Sequence, residues 1–187
     1  ELEGFVHGAL CVCYSGQCLM SSIIGGRSGN RGRCAQPCRM PYSIIDYDKN
    51  EVVLDEWRNK YLLSTRDLNT LECIKTIIDS GIISLKIEGR MKRPEYVATV
   101  VKHYRKALDF SSKNISDEDK EEVLQIFNRG FTKGVAMKDF GRSFISYERP
   151  DNRGILIGKV VKVDNRFVYI KLNKDVEKGD GLELETY

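Results

Sequence analysis

Between Gly4 and Ile45 the sequence contains no aspartate, glutamate or lysine, yet Arg27, Arg31, Arg33 and Arg39 all fall there, as do five of the six cysteines. A stretch so short of acid is a candidate anion-facing surface. Histidine is nearly absent too: His7 and His103 are the only two, so a Cys–His nucleophilic pair would depend on one of them meeting a thiol through the fold. No apolar run approaches the ~18 residues of a membrane span, and no basic, apolar, small-residue leader opens the chain, although a leader or a whole N-terminal region could have been removed before Glu1; a cytoplasmic protein without a membrane partner is expected. The G-x-S-x-G elbow, the H-E-x-x-H pair and a phosphate loop ending in Gly-Lys-Ser/Thr are all missing. The chain begins with Glu1 rather than Met and is read as a fragment of a longer protein.

What is present is ordinary globular composition. Of 187 residues 41% are hydrophobic and 30% charged, with 30 Lys+Arg against 27 Asp+Glu, which excludes disorder and collagen. A net charge of +3 is too small to imply nucleic acid by itself. The length suits one domain and a remainder, enough to bury about two-thirds of the unfolded surface without disulfides.

Residues 1 to 40 read as ordered loop, interrupted by a two-turn helix at Leu19 to Ile24 that Gly25-Gly26 stops. Tyr42 to Tyr47 and Val52 to Leu54, around Asp48-Lys49-Asn50, read as a hairpin. Asn69 with Glu72 resembles a capping box, and Leu71, Ile74, Ile77 and Ile78 then form the stripe of a helix that ends at Gly81. Ile82 to Ile87 reads as a buried strand. Pro94 opens a second helix with Val97, Val100, Val101, Tyr104 and Leu108 inward, and Ser116 caps a third that buries Val123, Leu124 and Phe127. Helices alternating with an apolar strand indicate an α/β unit with a parallel sheet, part of a larger barrel or sheet. After Arg149-Pro150 period-two strands follow, Ile155 to Val163 and Phe167 to Leu172, joined by Asp164-Asn165-Arg166; a last strand is expected beyond Gly179-Asp180-Gly181.

Cys11, Cys13, Cys18, Cys34 and Cys38 lie in a loop with little core of its own, which leaves disulfides, structural zinc or an iron–sulfur cluster open. Only Cys34 and Cys38 have a zinc-like spacing, and no second knuckle accompanies them. Cys73, inside the first helix, reads as a small buried hydrophobe. Gly25 to Gly32 could form an anion cradle with Arg27 and Arg31, or a plain flexible turn. Lys86 to Arg93 follows the buried strand, where α/β barrels place working loops, and is otherwise a solvated charge run.

One set of motifs is highly specific. Glu3-x-Phe5-x-x-Gly8-Ala9-Leu10-Cys11, then Gly16-x-Cys18-x-Met20-Ser21, resembles the signature of the collagenase-like peptidase family, family U thirty-two. The likeness continues through Gly25 to Ser28, Asn30 to Gly32, Cys34-x-x-Pro37-Cys38-Arg39, Ser84 to Arg90, Phe127 to Thr132 and Asn152-Arg153-Gly154.

The resemblance implies the second half of a TIM-type barrel, residues 1 to 148, followed by the incomplete start of a small β-barrel domain, residues 149 to 187. Several members of that family carry a four-iron, four-sulfur cluster and serve oxygen-independent hydroxylation. Their substrates are RNA pyrimidines, with prephenate required, or a ubiquinone precursor; the peptidase name rests on a few members with no agreed catalytic residues. By motif position the implied ligands are Cys11, Cys18, Cys34 and Cys73, with Cys38 the competitor of Cys73 and Cys13 matching no family position. The expectation is therefore an RNA-hydroxylation protein acting on ribosomal or transfer RNA. Arg27 and Arg31 would take a carboxylate or phosphate, Lys86 and Arg90 would line the strand-end mouth, and the missing N-terminal half of its own chain would be its partner. The rivals are a peptidase and an RNA-binding scaffold with a structural metal.

Overall fold

The computed structural model describes residues 1–53, 56, 58–110 and 114–185; Leu54, the end of the second hairpin run, lies outside them. Two compact units divide the chain, residues 1–154 and residues 155–187.

The first unit is mixed α/β. Its elements are β1 (Glu3–Ala9), α1 (Met20–Gly25), β2 (Ile45–Asp46), β3 (Glu51–Val52), β4 (Asp67–Asn69), α2 (Ile74–Asp79), β5 (Ser84–Ile87), α3 (Pro94–Phe110), α4 (Asp117–Ile126) and β6 (Phe131–Thr132). Four strands form one sheet in the order β5-β1-β4-β6. The sheet is open and mixed, not a closed barrel: β1 runs parallel to β5 and β4 parallel to β6, but β1 and β4 are antiparallel. The wholly parallel sheet expected from the helix–strand alternation is thereby corrected.

The central strand β1 lies within the stretch read as loop. Its register against β5 shifts between Phe5 and His7, so Val6 is an extra residue and two neighbours, Val6 and His7, are both fully buried. A bulge of this kind breaks the alternation by which a strand is recognised. Asn69 likewise ends β4 rather than capping a helix: its Oδ1 accepts the Leu71 N–H at 3.0 Å. A short 3-10 turn, Leu71–Cys73, intervenes before α2, so Cys73 stands at the N-cap of that helix, not inside it.

The remaining helices form where their signals lie. α1 ends on Gly26 in the left-handed region, φ 64°, and α4 has a full capping box between Ser116 and Asp119. The inward stripe of α3 is rotated from the expected one. Tyr96, Val100, His103, Tyr104 and Ala107 are buried, while Val97 and Val101 are 38% and 45% exposed. The polar residue the periodicity left out, His103, is buried beside α4, where its Nε2 meets Glu122 Oε2 at 2.9 Å. Leu71, Ile74, Val100, Val123 and Val6 form the heart of the core, each fully buried side chain contributing about 1.5–3 kcal/mol.

The second unit is an antiparallel hairpin of β7 (Gly158–Val163) and β8 (Val168–Leu172), turned by Asp164, whose Oδ1 accepts the Arg166 and Phe167 N–H groups at 2.9 Å. No strand follows Gly181 among the described residues. No helix in the described residues is long and apolar enough to cross a membrane.

Candidate functional site

The carboxyl ends of β1 and β5 and the amino ends of β4 and β6 meet at one edge of the sheet, because β4 and β6 run against β1 and β5. Asp67 opens β4 and Arg129 precedes β6. The Arg129 N–H donates to Asp67 Oδ2 at 3.0 Å, and its guanidinium Nε stands 3.5 Å from Asp67 Oδ1. That second approach pairs the charges without a hydrogen bond, leaving Oδ1 and Nε both buried and, among the described residues, unpartnered, a condition that costs about 1–3 kcal/mol per group unless a ligand or water relieves it. Burial raises the Asp67 carboxyl, opposed by Arg129, Lys92 and Arg39.

Lys92, after β5, reaches over the Phe127 ring and lies 5.6 Å from the centre of Tyr96. Half-burial and the neighbouring Arg129 charge bring its ammonium down to about 8, against Asp67 and Glu88. Tyr96 also faces His7, ring centres 6.0 Å apart. His7 is fully buried, its Nδ1 is 3.4 Å from the Tyr104 hydroxyl, its Nε2 has no partner among the described residues, and burial lowers it to about 4. Three cations, Arg39, Lys92 and Arg129, thus share this edge with two carboxylates, Asp67 and Glu88, beside a neutral imidazole.

Arg39 joins the edge to the cysteine loops. Its Nη1 donates to Ser64 Oγ at 2.7 Å and to the Thr65 carbonyl, and its Nη2 to the Leu10 carbonyl at 3.1 Å and Thr65 Oγ1 at 3.2 Å. Burial, then Arg129, draws Arg39 down to about 10.

The expected anion residues are only partly gathered. Arg90 Nη2 donates to the Gly32 carbonyl at 3.1 Å, tying the end of β5 to the glycine-rich loop. Arg27 Nε bonds the Arg33 carbonyl at 3.0 Å, Arg31 ends an exposed 3-10 turn, and Lys86 lies within β5 opposite Phe5, exposed. Asp67, Tyr96 and Arg129 carry no site signal in the sequence; Arg39 is marked there only as part of the acid-poor stretch, His7 only as a partner for a Cys–His pair and Lys92 only within the Lys86 to Arg93 run. Lys92 and Arg129 sit inside the quoted motif segments, but only the fold shows them facing one another.

All six cysteines are free thiols, soft donors suited to iron or zinc. The donor chemistry fits a cluster; the spacing does not, since among the described residues no three His, Cys, Asp or Glu side chains are close enough to hold a metal. Cys38 feels its neighbours: burial raises its thiol, Arg39 lowers it, and Cys11, Cys34 and Cys18 raise it further. Cys73 is not among them; it neighbours Tyr104, whose hydroxyl is raised first by burial and only in small part by Cys73.

Residues 1–143 match Peptidase family U32. The chain belongs to that family. This U32 chain is 36% identical over 197 residues to the 23S rRNA 5-hydroxycytidine C2501 synthase of Escherichia coli (strain K12), covering 98% of the chain and 29% of that protein. It is 48% identical over 111 residues to the tRNA hydroxylation protein P1 of Bacillus subtilis (strain 168), 58% of the chain and 26% of the relative. With a Collagenase of Porphyromonas gingivalis (strain ATCC BAA-308 / W83) it shares 41% identity over 139 residues, 72% of the chain and 33% of the relative. The chain therefore spans a third or less of the length of these relatives. No solved structure matches it.

Proposed function

We infer that this U32 chain is part of a protein that hydroxylates RNA pyrimidines, with residues 1 to 148 the second half of a TIM-type barrel and residues 149 to 187 the start of a small β-barrel domain. The observation that carries the reading is the cationic edge of Arg39, Lys92 and Arg129 placed against the cysteine loops, in a chain whose relatives include two named for RNA hydroxylation. Lys92 and Arg129 hold a phosphate or carboxylate, and Lys92, lowered to about 8, holds or releases a proton at Nζ near neutral pH. A small dicarboxylate such as prephenate suits the same cations. The cofactor in this reading is a four-iron, four-sulfur cluster on the cysteine loops, and the protein works in the cytoplasm.

The peptidase reading has the collagenase relative in its favour. Against it, neither histidine meets a serine, threonine or cysteine side chain among the described residues: His7 contacts the Tyr104 hydroxyl, and His103 lies between Asp119 and Glu122.

The deciding experiment is nucleoside mass spectrometry of ribosomal and transfer RNA from cells lacking the gene. A hydroxylated pyrimidine should vanish and return with the wild-type gene but not with Lys92→Met. If every hydroxylated nucleoside persists while the purified protein cleaves peptides, the peptidase reading replaces this one. RNA binding by the full-length protein should also fall with salt, and Arg27→Ala with Arg31→Ala should reduce the slope by about 1.4, at ~0.7 per single-strand phosphate contact. An unchanged slope would move the RNA contacts elsewhere.

A further inference from the structure

Around the helices the surface cations are paired: Lys75, Lys102, Arg105, Lys106 and Lys120 each stand 2.5 to 2.9 Å from a carboxylate. One loop departs from that pattern. Arg27, Arg31 and Arg33 are exposed, and among the described residues none of their guanidiniums meets a carboxylate; Arg27 Nε bonds only the Arg33 carbonyl, at 3.0 Å. With no acid between Gly4 and Ile45, nothing nearby in the sequence offsets their mutual repulsion. The loop is nonetheless folded. The Ser28 carbonyl accepts the Arg31 and Arg33 N–H groups at 3.3 and 3.0 Å, and the Gly32 N–H returns to the Gly29 carbonyl at 3.0 Å. Arg90 Nη2 then holds the Gly32 carbonyl from the end of β5, at 3.1 Å. The arginines are thus carried on a fixed backbone, which lowers the ordering cost of binding.

An open aromatic ring adjoins this loop. Asn30 Nδ2, between the arginines, donates to the Gly16 carbonyl at 2.9 Å. Gly16, at φ 83°, lies in the turn that the Gln17 N–H closes on the Tyr14 carbonyl at 3.2 Å. Tyr14 heads that turn, 83% exposed, with no ring, hydrogen-bonding or cationic partner for its side chain among the described residues. Tyr96 and Tyr104, by contrast, are buried in the core. Tyr47 is as open as Tyr14 but stands among Asp46, Asp48 and Glu51, where a polyanion is repelled. Only at Tyr14 does an open ring adjoin unpaired arginines on a folded loop.

We propose that Tyr14 and the loop of residues 27–33 form a docking surface for single-stranded RNA, the arginines taking phosphates of the strand while one base stacks on the Tyr14 ring. The surface rests on the RNA part of the reading above and says which form of RNA the protein takes. A guanidinium fork fits phosphate oxygens in pairs, and stacking on an aromatic ring accepts any base. A duplex would satisfy the arginines but keeps its bases stacked on one another, so the ring gains nothing from it. An acidic peptide likewise answers the charge and leaves the ring unused.

The test is fluorescence anisotropy of the full-length protein with a labelled oligouridine strand. Tyr14→Ala should weaken binding about five- to a hundredfold, the loss of one stacked base, and Tyr14→Trp should retain it, with the salt slope unchanged in both. Arg33→Ala should lower that slope by about 0.7, one single-strand phosphate contact, whereas Arg105→Ala, whose guanidinium is held by Asp109, should leave it alone. A strand carrying 4-thiouridine should crosslink under long-wavelength light to the peptide that contains Tyr14. Circular dichroism checks that each variant is folded. Undiminished binding by folded Tyr14→Ala would overturn the proposal, as would a wild-type protein that does not bind the strand, or a duplex bound as tightly as the strand. Polyglutamate of equal charge bound as tightly as the strand would also overturn it and assign the surface to an acidic protein partner. The nucleoside measurement is separate: a hydroxylated nucleoside lost with the gene keeps the RNA reading even if this surface fails, and one that persists sinks that reading whether or not the strand binds here.

Discussion

His7 sits wholly inside the protein, surrounded by Tyr96, Tyr104 and Phe131, with one ring nitrogen unpartnered among the described residues. It survives there by staying neutral: burial lowers it to about 4 from an ordinary 6.5. A group with a depressed folded value binds fewer protons in the native state between those two values. Its contribution to stability is complete above pH 6.5 and is lost as pH falls through that window. The drop is about 3 kcal/mol, at ~1.4 kcal/mol per unit. Urea unfolding at pH 7 and pH 4 should show wild type losing about that much more stability than His7→Phe, which cannot titrate and keeps the ring packing. Parallel losses in the two proteins would show that His7 protonates in the native state without cost.

Among the elements, two Asn-Arg-Gly tripeptides lock together and set the position of Arg129. Asn152 Oδ1 accepts the Asn128 N–H at 2.9 Å and the Gly154 N–H at 3.2 Å, Asn128 accepts the Arg153 N–H at its carbonyl at 2.8 Å, and Asn128 Nδ2 donates to the Leu124 and Gly154 carbonyls. Gly130 and Gly154 both take positive φ, 79° and 58°, where a side chain would be strained. Asn152→Ala should cost about 2 kcal/mol, leaving the part-buried Asn128 and Gly154 N–H groups unmet and Arg129 without its support; unchanged thermal unfolding would count against this. The tripeptides were visible as motifs, but their mutual pairing was not, because 24 residues separate their asparagines. The same division holds elsewhere. α1 and α4 were legible because their signals, Gly26 and the Ser116–Asp119 box, are local. β1 was hidden by its bulge, and the turn of α3 by His103, a polar residue made buriable only by acids on another helix. The cationic edge was hidden for the same reason: Asp67, Lys92 and Arg129 are brought together by strand pairing, and charge composition records no pairing.

At the scale of the whole molecule the two units differ in what holds them. The first has a continuous core from Val6 to Val123. The second has a hairpin with nearly every apolar side chain open to solvent: Val161 is 63% exposed, Val163 65% and Leu172 45%. Two-stranded hairpins are marginal alone, so local opening in residues 158–172 should cost far less than opening the β1–β4 ladder. One constraint within the hairpin is tight: Gly158 packs against the Lys171 carbonyl with no room for a Cβ. Hydrogen exchange at neutral pH should therefore show the β7 and β8 amides exchanging well before those of Val100 and Tyr104 in α3, with Gly158→Ala abolishing residual protection in the hairpin while leaving α3 unchanged. Hairpin amides as slow as those of α3 would mean that the exposed valines are covered in solution, and would direct attention to what covers them.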